Sequence, residues 1–317
     1  LQDSYGDYLF SLGSLNGHSY GVFIKVDAKS LIWYNSEVFA GAGYAVPYTW
    51  KGLVDLSDQM VLDSQTPWCL YLGSGDATGW LATDWLETIV LRSQGPEFYD
   101  GWANHQIPFD HPAVVAALEM VGVLAHSPGY VYPDASVIAD RPLGDSVFLA
   151  SQDPPQCLLF PAAGWAPAYF DEDAPMAAMP FPTIDPAYSS SMEGGGDLVI
   201  ALSDRPEVRA VIRALASPSW GVSWAQSGVP FISPHTGFDL EVFPDPVGRS
   251  IAAVVREAIG AGMYRFDASD QMPVELAWGP LHSALVDYVT HPGASAKDAL
   301  SSVETAWTEY ESTASNG

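Results

Sequence analysis

Apolar positions along this chain recur with two spacings, and the switches between them mark its elements. Residues 20–25 (YGVFIK) and 30–35 (SLIWYN) are runs of β-branched and aromatic residues, which predicts strands. Glu37–Ala42 predicts a short helix stopped by Gly43. Thr49 is placed to cap a helix to Met60, with Trp50, Leu53, Val54 and Leu56 on its apolar side. The run 68–72 (WCLYL) predicts a short buried strand. A helix from Gly79 to Arg92 follows, with Thr78 as its expected N-cap. On that helix Trp80, Asp84 and Glu87 share one face, while Leu81, Trp85, Leu86 and Ile89 point to another side.

The pattern continues with a helix over Pro112–Leu124, proline at its first position and Val114, Val115, Leu118 and Val121 in period. Residues 127–145 are rich in Pro, Gly and Asp and read as loop. A short strand is predicted at 157–160. From 171 to 196 the chain is irregular and ends in Gly194-Gly195-Gly196. A strand at 197–202 and a helix over Pro206–Ala216 follow. Val208, Val211, Ile212 and Leu215 are the residues that helix is expected to bury. A helical turn at Trp220–Ser227 precedes helices at Ser250–Ile259, Val274–Val289 and Ala296–Tyr310. Trp220 and Trp224 are four apart, a core spacing. Strands alternate with helices throughout, so the class is α/β, and no repeat of fixed period interrupts it.

Composition narrows the function classes. At 317 residues and 48% hydrophobic, the chain can build about two domains with real cores. A net charge of −26 with only 12 basic residues argues against nucleic acid and against anionic membrane surfaces as partners. No apolar run approaches the about 20 residues needed to cross a bilayer, so no direct membrane insertion is expected. The opening LQDSYGDYLF lacks the charged and apolar regions of a signal peptide. The seven histidines form no HxxxH or HExxH pair, and neither a metal nor a cofactor is expected. Cys69 and Cys157 fall outside any CxxC pattern. They fit one disulfide of an exported protein, or two buried free thiols.

The candidate chemistry concentrates in TPWCLYLGSGDATGWLATDW, residues 66–85. It places Trp68, Tyr71, Trp80 and Trp85 beside Asp76 and Asp84. The C–H faces of a pyranose stack on flat rings, and its hydroxyls donate to acceptor oxygens. The plain alternative is that Trp80 is core and Asp84 a solvated helix acid.

Several segments, taken in order, resemble one family, the extracellular solute-binding proteins of ABC sugar importers. The α-glucoside-binding branch is the nearest in pattern, and maltose-binding protein is a broader relative. The carrying residues are YGVFIKVDAKSLIWYN (20–35), VPYTWKGLVDL (46–56), the 66–85 segment with GPEFYDGW (95–102), GGGDLVIAL (194–202), SPSWGVSWAQSG with ISPH (217–235), and FDASDQMP (266–273). The resemblance runs from about residue 15 to 310 and rests on order and spacing more than on any one motif. It departs from the family in three places. A first stretch of about a hundred residues, domain-sized, has no counterpart. VELAWGPLHSAL stands where a Gly/Ser-Phe-Trp turn is usual, and LLFPAAGW lacks the usual basic patch.

The resemblance implies a type II periplasmic-binding-protein fold: two discontinuous α/β lobes with a hinge, the N-terminal lobe incomplete. The larger lobe is expected at 26–195 plus 266–317, and the smaller at 1–25 plus 197–265. It implies a Cys69–Cys157 disulfide. It also implies a carbohydrate-binding role, with an α-glucoside oligosaccharide delivered to the membrane subunits of an ABC transporter. Location would be extracytoplasmic, lipid-anchored in the full-length form, with a missing N-terminal segment as a further partner. Trp80, Asp84, Thr78 and Asp76 carry over to the sugar-facing position. Lys29 and Trp33 lie at the first interlobe crossing, Trp165 follows a glycine, Gly194, Gly195 and Gly196 offer close backbone approach, and Asp267 and Asp270 flank the last crossing. No catalytic residue is expected. The alternatives are a glycoside-active enzyme, which needs two carboxylates about 5–9 Å apart, and a truncated remnant acting as an interaction protein.

Overall fold

A computed structural model of the protein describes residues 2–29, 31–171 and 174–314. Ser30, which opens the predicted strand at 30–35, and residues 172–173 of the irregular stretch lie outside the described residues. By contacts the chain divides into two units, each assembled from three stretches. The first is Leu1–Lys29, Ala163–Ala168 and Ser190–Phe266; the second is Ser30–Ala162, Tyr169–Ser189 and Asp267–Gly317.

The second unit is built on one helix. Trp80–Gln94 buries every residue from Leu81 to Arg92. Helices Pro96–Ala103, Pro112–His126 and His282–Thr290 pack around it. A three-stranded antiparallel sheet has Leu31–Asn35 at its centre, between Leu159–Ala162 and Met176–Met179. Trp33 sits opposite Phe160 on one side and Ala178 on the other. The stop at Gly43 and the cap at Thr49 hold, and Asn35 adds a cap that was not read from sequence. Asn35 Oδ1 accepts from the amides of Glu37 and Val38 at 3.0 and 3.1 Å, starting the helix Ser36–Ala42, and Gly43 ends it at φ 73°. Thr49 Oγ1 accepts from Gly52 N at 3.1 Å and starts Trp50–Leu62. The expected disulfide is present: Cys69 and Cys157, 88 residues apart, are bonded with their Cα atoms 5.4 Å apart. The last helix, Ala296–Ala314, is held by Trp307 stacked on His105, whose two ring nitrogens meet Glu304 and Glu311 at 3.0 and 3.1 Å.

Four expectations in this unit are corrected. The run 68–72 is not a regular strand. Its hydrogen bonds go to different neighbours in turn, from Trp68 N to Tyr130 O, Cys69 N to Leu159 O and Leu72 N to Ile138 O, so no ladder forms. Thr78 does not cap the central helix. Gly79 takes that position at φ 109°, while Thr78 Oγ1 donates to Gly75 O at 2.8 Å and closes the preceding turn. The helix expected over 274–289 is broken. Pro280 has no N–H to give, and Ala277–Leu281 widens into a π turn before His282–Thr290 resumes. Within the expected loop, a helix Leu143–Ser151 begins at its far end.

The first unit holds three two-stranded sheets, one of them the short antiparallel pair Ser14–Leu15 and His18–Ser19. Gly21–Val26 pairs antiparallel with Gly196–Ile200, and Met192–Gly194 pairs parallel with Tyr264–Phe266. Helix Pro246–Gly260 starts a turn earlier than expected because Asp245 Oδ1 accepts from Gly248 N at 2.7 Å. Its Ile251, Val255 and Ile259 enter the core with Val26, Phe231 and Tyr264. The helix Pro206–Leu215 forms as expected, but none of its residues is buried, which corrects the reading of Val208, Val211, Ile212 and Leu215. Trp220 lies outside the short helix Val222–Gln226 and donates its indole N–H to Ile24 O at 3.1 Å.

Candidate functional site

In the second unit the 66–87 segment brings a ring and two acids to one side of the central helix. Tyr71 is buried and Trp80 packs against it edge-on, with ring centroids 5.7 Å apart, while Trp80 keeps part of its own ring open to solvent. Gly79 lets the start of the central helix lie close against the helix His282–Thr290. A Cβ there would stand 3.0 Å from Val286 Cγ2 and 3.1 Å from His282 Cβ. Asp76 is exposed on the turn Gly75–Ala77, and Thr78 is half-buried behind it.

One and two turns further along the same face, the polarity goes inward. Asp84 is 1% exposed and Glu87 fully buried. The Glu87 carboxylate accepts from Tyr99 Oη at 2.8 Å, from Ala268 N at 2.6 Å and from Ser269 N at 3.1 Å. Such donors compensate the desolvation of a buried anion. A carboxylate oxygen of Asp84 lies within 4.8 Å of one from Asp267. Asp267 Oδ1 itself accepts from Ser269 Oγ at 2.6 Å and from Asp270 N at 2.9 Å, so Asp267 shapes the turn over 267–270. Asp270 is exposed. The face foreseen for Trp80, Asp84 and Glu87 is therefore real: an open ring at the helix start and two acids turned to the 267–269 segment. On another side of the helix's last turn the buried Arg92 donates to Ser189 O at 2.9 Å, and burial pulls its guanidinium down to about 10.

Trp33 is fully buried in the sheet of this unit. Its indole N–H donates to Ala162 O at 3.2 Å and its ring meets Phe170 edge-on. Trp278 was not singled out from sequence. It is 51% exposed on the π turn that leads into His282, and the Trp-Gly-Pro sequence was its only signal.

In the first unit three stretches of backbone converge. Asp27 N donates to Gly195 O at 2.9 Å, and Lys29 N to Glu193 O at 3.0 Å. Tyr264 Oη lies 2.9 Å from both Asp27 O and Gly195 O, and burial raises its phenol well above the ordinary value. Gly194 is required by this crossing, because a Cβ would fall 2.1 Å from Asp27 O and from Tyr264 Oη. Gly196 likewise lies against Lys25 O. Gly195 is looser, with its nearest neighbour the Lys29 side chain at 3.4 Å. The half-buried Trp165 belongs to the short stretch whose Gly164 N donates to Ala28 O at 2.8 Å. Tyr264 and Glu193 were missed from sequence, since a three-residue parallel strand pair carries almost no periodic signal.

Comparison with known proteins adds a frame to this geometry. Residues 12–222 match the family model described as bacterial extracellular solute-binding protein. The osmoprotective compounds-binding protein GgtB of Synechocystis sp. is 35% identical over 97% of this chain and 72% of its own length. The alpha-glucosides-binding periplasmic protein AglE of Rhizobium meliloti is 35% identical over 97% of this chain and 69% of its own. Among solved structures, the solute receptor AcbH superposes with a TM-score of 0.80 at 17% identity, over 96% of this chain and 76% of that one. Apo RafE of Streptococcus pneumoniae superposes at 0.74 and 16% identity, over 96% and 75%. The fold is that of the type II periplasmic-binding proteins. No helix among the described residues is long and apolar enough to cross a membrane. With two relatives at this identity along nearly its whole length and the family model spanning most of it, the chain belongs to the bacterial extracellular solute-binding proteins.

Proposed function

We propose that this protein binds a carbohydrate outside the cytoplasmic membrane and delivers it to the membrane subunits of an ABC importer. The ligand class is an α-glucoside, which the name of AglE supports. The observation that carries the reading is Trp80, a half-buried residue whose ring is backed by Tyr71 and which follows the half-buried Thr78 and the exposed Asp76 along the chain. An open ring with neighbouring acceptors suits a pyranose. Asp84 and Asp267 are the second unit's buried candidates, and Lys29, Trp165, Gly195 and Gly196 are the first unit's own candidates for carbohydrate contact. Trp33 backs the second unit's sheet. The disulfide is at home in an oxidising, extracytoplasmic compartment, and a lipid anchor on the full-length form would keep such a receptor near its transporter.

The role is that of a receptor, with no bond made or broken. Burial of Asp84, Glu87 and Asp267, and the donors around Glu87 and Asp267, favour positioning over acid–base exchange with substrate. Calorimetric and tryptophan-fluorescence titration with maltose and trehalose tests this, alongside product analysis. Saturable binding with the sugar recovered intact is expected. Released glucose would favour the enzyme reading, and no binding to any carbohydrate would remove the receptor reading.

A further inference from the structure

The first unit encloses a small apolar cavity of about 190 Å³, and every residue lining it belongs to that unit. Its walls come from three places in the sequence: the turn Gly228–Ile232, the start of the helix Pro246–Gly260, and Gly164 with Pro167. Glycine at 164, 228 and 248 leaves bare backbone where a side chain would fill the space. The turn is pinned at both of its buried residues. Ile232 O accepts from Val26 N at 3.0 Å. The Phe231 ring lies 5.3 Å from that of Trp224 and 5.8 Å from that of Phe238, and a Cβ on Gly221 would fall 2.0 Å from it. Gly228 and Val229 are exposed, so the cavity reaches solvent past them.

Asp245 is the only lining residue with a polar side chain. Its Oδ1 caps the helix by accepting from Gly248 N at 2.7 Å, and its Oδ2 has no hydrogen bond among the described residues. An apolar cavity of about 150 Å³ stays dry and takes up benzene. A carboxylate in such a wall accepts from an O–H or N–H donor and repels an anion. We propose that this cavity is a second binding site, for a small neutral ring of benzene size that turns one hydroxyl or amine donor to Asp245. Lys29, Trp165, Gly195 and Gly196 are not among its walls, so the sugar titrations above can fail without touching it.

Phenol, toluene and benzoate test this by calorimetry and by methyl NMR of the 317-residue chain. Phenol should bind saturably, one per chain, and shift the methyl signals of Val229, Ile232 and Ile251, leaving those of Val121 in the second unit unmoved. Toluene, which lacks the donor, should bind severalfold more weakly, and benzoate roughly tenfold more weakly or worse. Asp245→Asn keeps an oxygen to cap the helix and should bring benzoate close to phenol. Val229→Trp sets a large ring at the mouth. Val229 is 50% exposed, so the fold should survive, and phenol should bind roughly tenfold more weakly. Any of four results overturns the proposal: no saturable binding of phenol, methyl shifts that lie away from Val229, Ile232 and Ile251, toluene or benzoate held as tightly as phenol by the unaltered chain, or phenol binding that a folded Val229→Trp leaves unchanged.

Discussion

Two helices of this protein read alike in sequence and end in opposite states. Trp80–Gln94 and Pro206–Leu215 both carry apolar residues at helical spacing. The first is buried almost to its ends, including Asp84, Glu87 and Arg92; the second buries nothing. The periodicity of a helix states which face wants to leave water. It does not state whether anything is there to receive it. Around Trp80–Gln94 three helices and the 267–269 turn supply both apolar partners and hydrogen-bond donors, so even carboxylates go inside. Beside Pro206–Leu215 one strand pair supplies neither. The second unit is thus a finished core and the first an open one.

The largest effect that can break this contrast is at the disulfide. Closing an 88-residue loop stabilises by about 4 kcal/mol in the chain-entropy account. Reduction, or Cys69→Ser with Cys157→Ser, should lower the second unit's unfolding midpoint in urea by a matching amount. The first unit's amides should keep their exchange rates. If both units lose protection together, their stabilities are not independent and the contrast is only one of appearance.

Next in size is Glu87. Glu87→Ala takes the acceptor from the Tyr99 hydroxyl and from Ser269 N in the core, while Ala268 N keeps Tyr99 Oη at 2.9 Å. Each buried group left unsatisfied costs about 1–3 kcal/mol, so a loss of roughly 3 kcal/mol in chemical denaturation is expected. Glu87→Gln keeps an acceptor oxygen and should lose clearly less. Equal losses for the two would show that packing, not hydrogen bonding, holds the 267–269 turn.

The third bears on function. Trp80→Ala should weaken carbohydrate binding by about 1–2 kcal/mol, tenfold or somewhat more in Kd, with little change in melting because the ring is partly open. A melting loss as large as that of Glu87→Ala would make Trp80 a core residue of the second unit and return it to the plain alternative.

What was legible in sequence follows the same division. The helix start at Thr49 was readable because its cap is a local hydrogen bond. The helix Trp80–Gln94 and its polar face were readable from spacing alone. Thr78 misled because a glycine in the left-handed region can begin a helix as well as a hydroxyl can. The stretch 68–72 misled because its partners are three separate segments, which only tertiary structure assembles. Neither Tyr264 nor the need for Gly194 could be read, since both come from stretches far apart in sequence meeting at one carbonyl, Asp27 O. For the candidate site, residue types pointed to the ring and the acids. They did not say that the acids turn inward while Trp80 stays open.

The smallest expected effect is the sharpest test of the contrast. Val211→Asp places a charge on the apolar stripe of Pro206–Leu215. Valine and aspartate have similar helix propensity. The new carboxylate stands four residues after Glu207, a like-charge spacing worth a few tenths of a kcal/mol. With Val211 already 57% exposed, the change in unfolding free energy should stay within about 0.5 kcal/mol. The same substitution at Val121, fully buried against the central helix of the second unit, should cost more than about 3 kcal/mol, because an unpaired carboxylate is then taken out of water. A pair of denaturation curves reads the difference directly. If Val211→Asp costs as much as Val121→Asp, the stripe is already covered in the chain alone, and the first unit is as closed as the second.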